Sequence, residues 1–271
     1  FLIHSLFTFP LHVPALGSAF FIILGLTVVY SKNFNLSGER DKEKNKNSNS
    51  FRLRLLYTIL ILLIMLLMID TIVVRPYLAE LYAYQGGKYY DNGNYEESLL
   101  KYKYANKLDP FNGRVLFNLG VNYYILDIYE KAEKIFKESK KYYNDRNVYG
   151  NLGLCYMKMG DYQRAEEEFK YAIYLNPRFI KAYSDLGLLY FEKGNYDGAI
   201  EYWKKILEIE PNITEKYVIL VNLGTVYKMK EMPGKALKYF LQALQLVPEG
   251  SPIIEEIEKE IYNIYKSKLE N

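Results

Sequence analysis

GLCYMKMGDYQRAEEEFKYAIYLNP, residues 153–177, and GLLYFEKGNYDGAIEYWKKILEIEP, residues 187–211, are two copies of one pattern. Gly153, Tyr156, Ala165, Phe169, Ala172 and Pro177 in the first answer to Gly187, Tyr190, Ala199, Trp203, Ile206 and Pro211 in the second. The register extends outward in both directions. Upstream lie Gly120, Tyr123, Ala132, Phe136, Ser139 and Asn144, preceded by Gly86, Tyr89, Ser98, Tyr102, Ala105 and Pro110. Downstream lie Gly224, Tyr227, Ala236, Phe240, Ala243 and Pro248. Six positions returning five times, at a period of roughly 34 residues, predict a stacked array of helix-turn-helix units.

Each position has a packing reason. Two antiparallel helices approach closely only where facing side chains are small, which is the work of the glycines and alanines. The first aromatic position fills space between helices, and the second, Tyr102 to Phe240, extends the core toward the next unit. GNY at 93–95, GDY at 160–162 and GNY at 194–196 end the first helix of a unit, and Pro110, Pro177, Pro211 and Pro248 stop the second. Ser98, Ser139, Ile206 and Met232-Pro233 depart from the pattern and read as local adjustments. After Gly250, Ser251 is placed to cap a helix with Pro252 at its first position. Its stripe of Ile253, Ile254, Ile257, Ile261, Ile264 and Tyr265 suits a helix that covers the last unit, or else one that binds a partner.

This pattern resembles the tetratricopeptide repeat (TPR), from about Ala79 to the end. The resemblance implies an all-α fold, a right-handed superhelical solenoid of five repeats over residues 77–250 with a capping helix at 251–271. It also implies a concave groove lined by the first helices, which receives an extended peptide or another protein. By register the groove positions are Tyr90, Arg114, Phe117, Tyr124, Asn147, Lys158, Lys181, Phe191 and Lys228. Their mixture of aromatic and basic side chains suits an acidic or aromatic peptide, though solvated lysines and packing aromatics account for it as well. The Lys and Asn arrangement by which some TPR domains clamp a chaperone's C-terminal carboxylate is not reproduced.

The chain before Ala79 is of another kind. LHVPALGSAFFIILGLTVVY (11–30) and LLYTILILLIMLLMIDTIVV (55–74) are each long enough to cross a hydrocarbon core of about 30 Å as a helix. Two transmembrane helices are therefore expected, within 1–30 and 55–76, and Asp70 reads as an interfacial residue near the end of the second. The intervening stretch 31–54 is polar, and its Lys32, Arg40, Lys42, Lys44, Lys46, Arg52 and Arg54 place it in the cytoplasm by the positive-inside rule. His4 and everything after Arg75 would then face outward. The opening at Phe1 carries neither an initiator Met nor a signal-peptide pattern, and reads as the interior of a longer, polytopic protein.

His4-Ser5-Leu6-Phe7, Phe9-Pro10-Leu11-His12-Val13-Pro14, the run from Phe20 to Leu26, and Arg75-Pro76-Tyr77-Leu78-Ala79 are similar to the C-terminal end of the bacterial O-antigen ligase and polymerase (Wzy-type) family. That family moves a glycan from a polyprenyl-diphosphate carrier to an acceptor outside the membrane. The resemblance implies an integral protein of the bacterial cytoplasmic membrane with its repeats extracytoplasmic, and membrane lipid and a lipid-linked glycan as partners. Two helices do not make such a site, so the chain is expected to be inactive alone. His4 suits a base or a hydrogen-bond donor near the sugar diphosphate, and equally an interfacial anchor. The competing reading is a two-helix anchor for a TPR scaffold without glycan chemistry.

Other chemistry finds little footing. A net charge of +3 spread along the chain gives no basic face for nucleic acid. Cys155, the one cysteine, and His4 and His12, the two histidines, make no plausible metal site, and no cofactor is expected. Between Tyr77 and Asn271 there is no phosphate loop, nucleophile elbow or paired-ligand motif. Glu166-Glu167-Glu168 reads as a solvated helix face.

Overall fold

The structure, a computed structural model, describes the backbone of residues 46–269 and the side chains of residues 54–266. The segment 11–30, with His4 and His12, lies outside the described residues. Every regular element described is helical, and contacts divide the chain into two units at Leu67/Met68.

The described part of the first unit belongs to helix α1, Lys46–Ile69. Its apolar side chains, among them Leu55, Ile59, Leu62 and Leu66, are exposed rather than packed against protein. A helix apolar all round needs an apolar surround. By length and composition alone, Arg54–Asp91 is the one helical stretch among the described residues able to cross a membrane.

The second unit opens with a π-helical turn, Asp70–Val74, followed by α2, Arg75–Asp91. The wider turn of a π-helix brings residues five apart onto one face. Asp70 uses that spacing to pair with Arg75 at 2.7 Å. Five hairpins then follow: α2 with α3 (Tyr95–Leu108), α4 (Gly113–Ile125) with α5 (Tyr129–Ser139), α6 (Arg146–Lys158) with α7 (Tyr162–Leu175), α8 (Ile180–Glu192) with α9 (Tyr196–Ile209), and α10 (Lys216–Met229) with α11 (Pro233–Leu244). Each hairpin packs on its neighbours in sequence, and α12 (Ile253–Leu269) packs on α11.

The recurrent residues do what their spacing predicts. A Cβ added to Gly153 would lie 2.6 Å from Phe169, and one added to Gly224 would lie 2.7 Å from Phe240, so the two helices of a hairpin touch at the glycine. Ala132, Ala165, Ala199 and Ala236 are fully buried on the opposing helix. Ser98 occupies that place in the first hairpin and satisfies its buried hydroxyl by donating to the Gly86 carbonyl at 2.9 Å. Ser139 donates likewise to the Gly113 carbonyl at 2.7 Å. Both departures are thus polar substitutions with a partner built in.

The turn inside each hairpin passes through a left-handed residue at one register position, Gly93, Asp127, Gly160, Gly194 and Glu231. The GNY and GDY signals mark three of them. Asp127 and Glu231, at φ 57° and 56°, adopt the same conformation without glycine. They hold the same backbone bonds: Asp127 N–H donates to Tyr124 O as Gly160 N–H does to Met157 O. The second repeat, with Asn144 in place of proline, ends α5 at Ser139 and restarts with Asp145 accepting from Asn147 N–H at 2.8 Å.

The first aromatic position gathers cations. Tyr123 has Lys103 at 5.5 Å and Lys131 at 5.8 Å from its ring, Tyr156 has Lys137 at 5.6 Å and Arg164 at 4.5 Å, and Tyr227 has Lys204 at 5.9 Å and Lys235 at 5.3 Å. Tyr190 differs. Gly198 stands where Lys131, Arg164 and Lys235 stand, and the Tyr190 ring lies against it, stacked on Tyr202 at 5.3 Å with its hydroxyl donating to Glu166 at 2.8 Å. Burial and the Glu166 carboxylate raise the Tyr190 pKa.

The core runs from Tyr102 to Ile264 as two clusters that share Ile173, Tyr190 and Tyr202 at their border. Helix α12 contributes Ile257 and Ile264 as buried residues, with Ile253 and Ile261 packed beside them. It begins at Ile253, two residues after Ser251, and Tyr265 of the expected stripe is exposed. The helix therefore covers the last hairpin with a narrower face than its sequence offers.

Candidate functional site

The first helices of four successive hairpins border one groove of about 450 Å³. Helix α2 supplies Gly87, Tyr90 and Asp91, α4 supplies Phe117, Asn118, Val121 and Asn122, α6 supplies Asn147 and Asn151, and α8 supplies Lys181. Tyr102 of α3 closes one side. Register explains why these side chains meet. Asn118, Asn151, Asp185 and Asn222 each stand two residues before the close-packed glycine of their hairpin, so successive first helices present them at one level.

Four of the groove residues expected from register, Tyr90, Phe117, Asn147 and Lys181, border this groove. The others do not. Arg114 is held by Glu80 of the preceding hairpin, one guanidinium nitrogen donating to both carboxylate oxygens at 3.0 Å. Lys228 is tied to Glu260 of α12 at 2.6 Å. Phe191 packs beside Tyr196 and Trp203 in the second core cluster. Tyr124 is half-buried with its ring 5.6 Å from that of Tyr129, and Lys158 is exposed at the end of α6.

Asn118, Asn122, Asn151 and Asp91 were missed by a reading that looked for charge and aromatic rings. The signal that finds them is the row two residues before the glycines, together with Asn122 one turn beyond Asn118.

The groove's polar groups are oriented by their own helices. Asn122 is fully buried and its amide donates to the Asn118 carbonyl at 2.8 Å, while its Oδ1 meets no donor of the protein among the described residues. Asn151 donates to the Asn147 carbonyl at 2.8 Å, and the Asn147 amide donates to Asp145 at 2.7 Å. Asp185, next along the row, is half-buried, and its Oδ2 also lacks a donor. Burial pushes its carboxyl up to about 7, against the pull of Lys181 one turn earlier.

Burial pushes the Cys155 thiol up to about 12, so it stays protonated. Among the described residues no three His, Cys, Asp or Glu side chains gather as a metal site. Glu166 is held below the usual carboxylate range by Lys170 and Tyr190 despite its burial, and serves as a structural anchor between hairpins.

The comparisons with known proteins agree with this architecture. Residues 147–179 and 180–213 each match a tetratricopeptide-repeat profile, and residues 85–145 match a second one. These are tetratricopeptide repeats. The matches do not reach residues 1–79, on which the glycan-transferase resemblance rests. Among solved structures, the TPR array is similar to MamA, 28% identical at a TM-score of 0.54, with 62% of this chain and 91% of MamA covered. It is also similar to Cut9–Hcn1 of the APC/C, 19% identical at 0.60, with 76% of this chain and 39% of that chain covered. YrrB, described as a TPR protein with an unusual peptide-binding site, is 21% identical at 0.50, with 62% of this chain and 86% of YrrB covered. A general transcriptional corepressor of Dictyostelium discoideum, trfA, is 28% identical over 109 residues. The matched part spans 8% of that protein and 38% of this chain, so its role does not transfer.

Proposed function

We propose that this chain is an interaction scaffold whose TPR array holds an extended segment of a partner protein in the groove between α2, α4, α6 and α8. One observation carries the reading: a groove of about 450 Å³ bordered by first helices of four hairpins, with aromatic sides and the carboxamides of four asparagines. A cleft of that size with a few oriented polar groups suits a short stretch of ligand. The peptide-binding site named for YrrB supports the same use of the fold. The test is selection of random octapeptides displayed on phage against the full chain in detergent micelles. Enriched peptides should lose affinity for Tyr90→Ala and Phe117→Ala proteins, and peptides that bind both variants undiminished would rule the groove out.

The scaffold is further proposed to be anchored in a bacterial cytoplasmic membrane through the apolar helix within Arg54–Asp91, with its repeats on the outer side. The bases in residues 31–54 support that orientation. A reporter fused after Asn271 and active only in the cytoplasm would reverse it. The resemblance of residues 4–26 and 75–79 supports a parent protein of the O-antigen ligase type, in which the repeats position partners near a lipid-linked glycan. Glycan transfer unchanged by His4→Ala in the full-length protein would remove His4 from that chemistry.

A further inference from the structure

Resting on the membrane-anchor reading above, we infer that the edge of the array formed by the connections between hairpins lies against the lipid surface, with Phe111 and Tyr142 seated among the headgroups.

The two edges of the array differ. All the hairpins run the same way, so the connections from one hairpin to the next share the edge at which the first helices begin, and the turns within hairpins share the other. Those turns hold Gly93, Asp127, Gly160, Gly194 and Glu231. The connections hold exposed rings. Phe111, between α3 and α4, is 68% exposed, and its ring meets that of Tyr142, between α5 and α6, edge-on at 5.6 Å. Tyr142 is 45% exposed, and Tyr174, in the last turn of α7, is 76% exposed. Apolar rings gathered on one side of a surface ask for a partner, where scattered ones do not.

The path of the chain says which partner. It enters the array at the N-terminus of α2, on the connecting edge, directly after the apolar run that ends at Val74. Charge returns at the Asp70–Arg75 ion pair. The first connection is fixed in height along α2, because Asn112 donates to Glu80 at 3.4 Å and Arg114 donates to the same carboxylate at 3.0 Å. Glu80 is five residues beyond Arg75, about 7.5 Å of helix. The headgroup layer on each side of a bilayer is about 5–7 Å deep. Phe111 precedes Asn112, the cap of α4, and so stands beyond the helix end on the side from which α2 comes. For an α2 along the bilayer normal, the ring then reaches the headgroup layer, where Tyr77 of α2 is also exposed.

Charge does not choose this surface. Lys107 and Lys141 of the connections are accompanied by Asp109 and Glu138, and Lys141 is bound to Glu138 at 2.6 Å. What remains is the burial of rings, and aromatic side chains suit the boundary between headgroups and acyl chains.

The full chain is reconstituted in phosphatidylcholine vesicles, and Phe111→Trp and Tyr142→Trp are each compared with the parent, whose own Trp203 is buried. Lipids brominated on the acyl carbons nearest the headgroup should quench the added tryptophan about twofold. Asn92→Trp, exposed in a turn on the other edge, should keep its emission. Protein that floats with the vesicles yet shows no quenching at positions 111 and 142 would overturn the docked edge and leave the anchor standing. Equal quenching at position 92 would also overturn it, since no edge would then be preferred. Emission that shifts to the blue without bromine quenching, and more so at higher protein density, would assign the rings to a second copy instead. Protein stripped from the vesicles by alkaline carbonate would remove both readings.

Discussion

Repeats three and four follow one pattern yet solve the same packing problem in two ways. In repeat three, Tyr156 keeps its ring between hairpins with Lys137 and Arg164 near it. In repeat four, Gly198 replaces the second cation, Lys170 turns to Glu166 at 2.7 Å, and Tyr190 moves against the glycine to bond Glu166 and stack on Tyr202. Inside the array the pair differs again, with Asn151 in one and Asp185 in the other. A repeat pattern thus fixes where a side chain starts, and the residues one position away decide what it reaches.

Four substitutions would sharpen or break this comparison. The largest effect is expected from Asp185→Asn, which gives repeat four the amide of repeat three. Because burial raises the folded-state carboxyl to about 7, the native protein holds a proton that the unfolded chain has lost across roughly pH 4 to 7. Native stability therefore falls as pH rises through that window. The variant does not titrate there, so its advantage should open from about pH 4 and level off above about pH 7, at about 4 kcal/mol. Urea unfolding at pH 4 and pH 8 measures it, and an equal difference at both values would sink the idea.

Gly198→Ala comes next. An added Cβ would lie 2.5 Å from Tyr190 Cδ1, while the ring is pinned by Glu166 and Tyr202. A net loss of about 1–2 kcal/mol is expected although alanine is the better helix former. A gain in thermal stability would mean that the Tyr190 ring yields to the added methyl at little cost. The smallest effect separates two equivalent lysines. Lys204→Ala should shift the Tyr227 ring resonances and cost about 0.5–1 kcal/mol. Lys170→Ala should instead release Glu166 and leave the stacked ring pair in place.

Much of the fold was legible because close helix contact restricts residue choice severely. Gly153 against Phe169, or the fully buried Ala165, leaves few alternatives, so those positions repeat in plain view. The turns were half legible. Gly93, Gly160 and Gly194 announce a left-handed residue, whereas Asp127 and Glu231 reach it at a conformational cost that composition does not reveal. The profile matches end at residue 213, yet the fifth hairpin closes in the same geometry as the rest. The groove was legible in outline and not in chemistry. Register found Tyr90, Phe117, Asn147 and Lys181, but Arg114 and Lys228 looked available because their acids, Glu80 and Glu260, lie more than thirty residues away. Asn122 looked ordinary because burial and an unmatched oxygen are properties of the assembled array.

The packing of each hairpin on its immediate neighbours has a mechanical meaning as well. Links that touch only the next link bear a load in series, as the coils of a spring do. A pull between Ala79 and Ile264 would be shared as a small opening at every junction, because the main helix contacts of the described residues join neighbours in sequence. The gap between Asn118 and Asn151 would widen with the rest, so tension along the array would change the spacing of the side chains that border its groove.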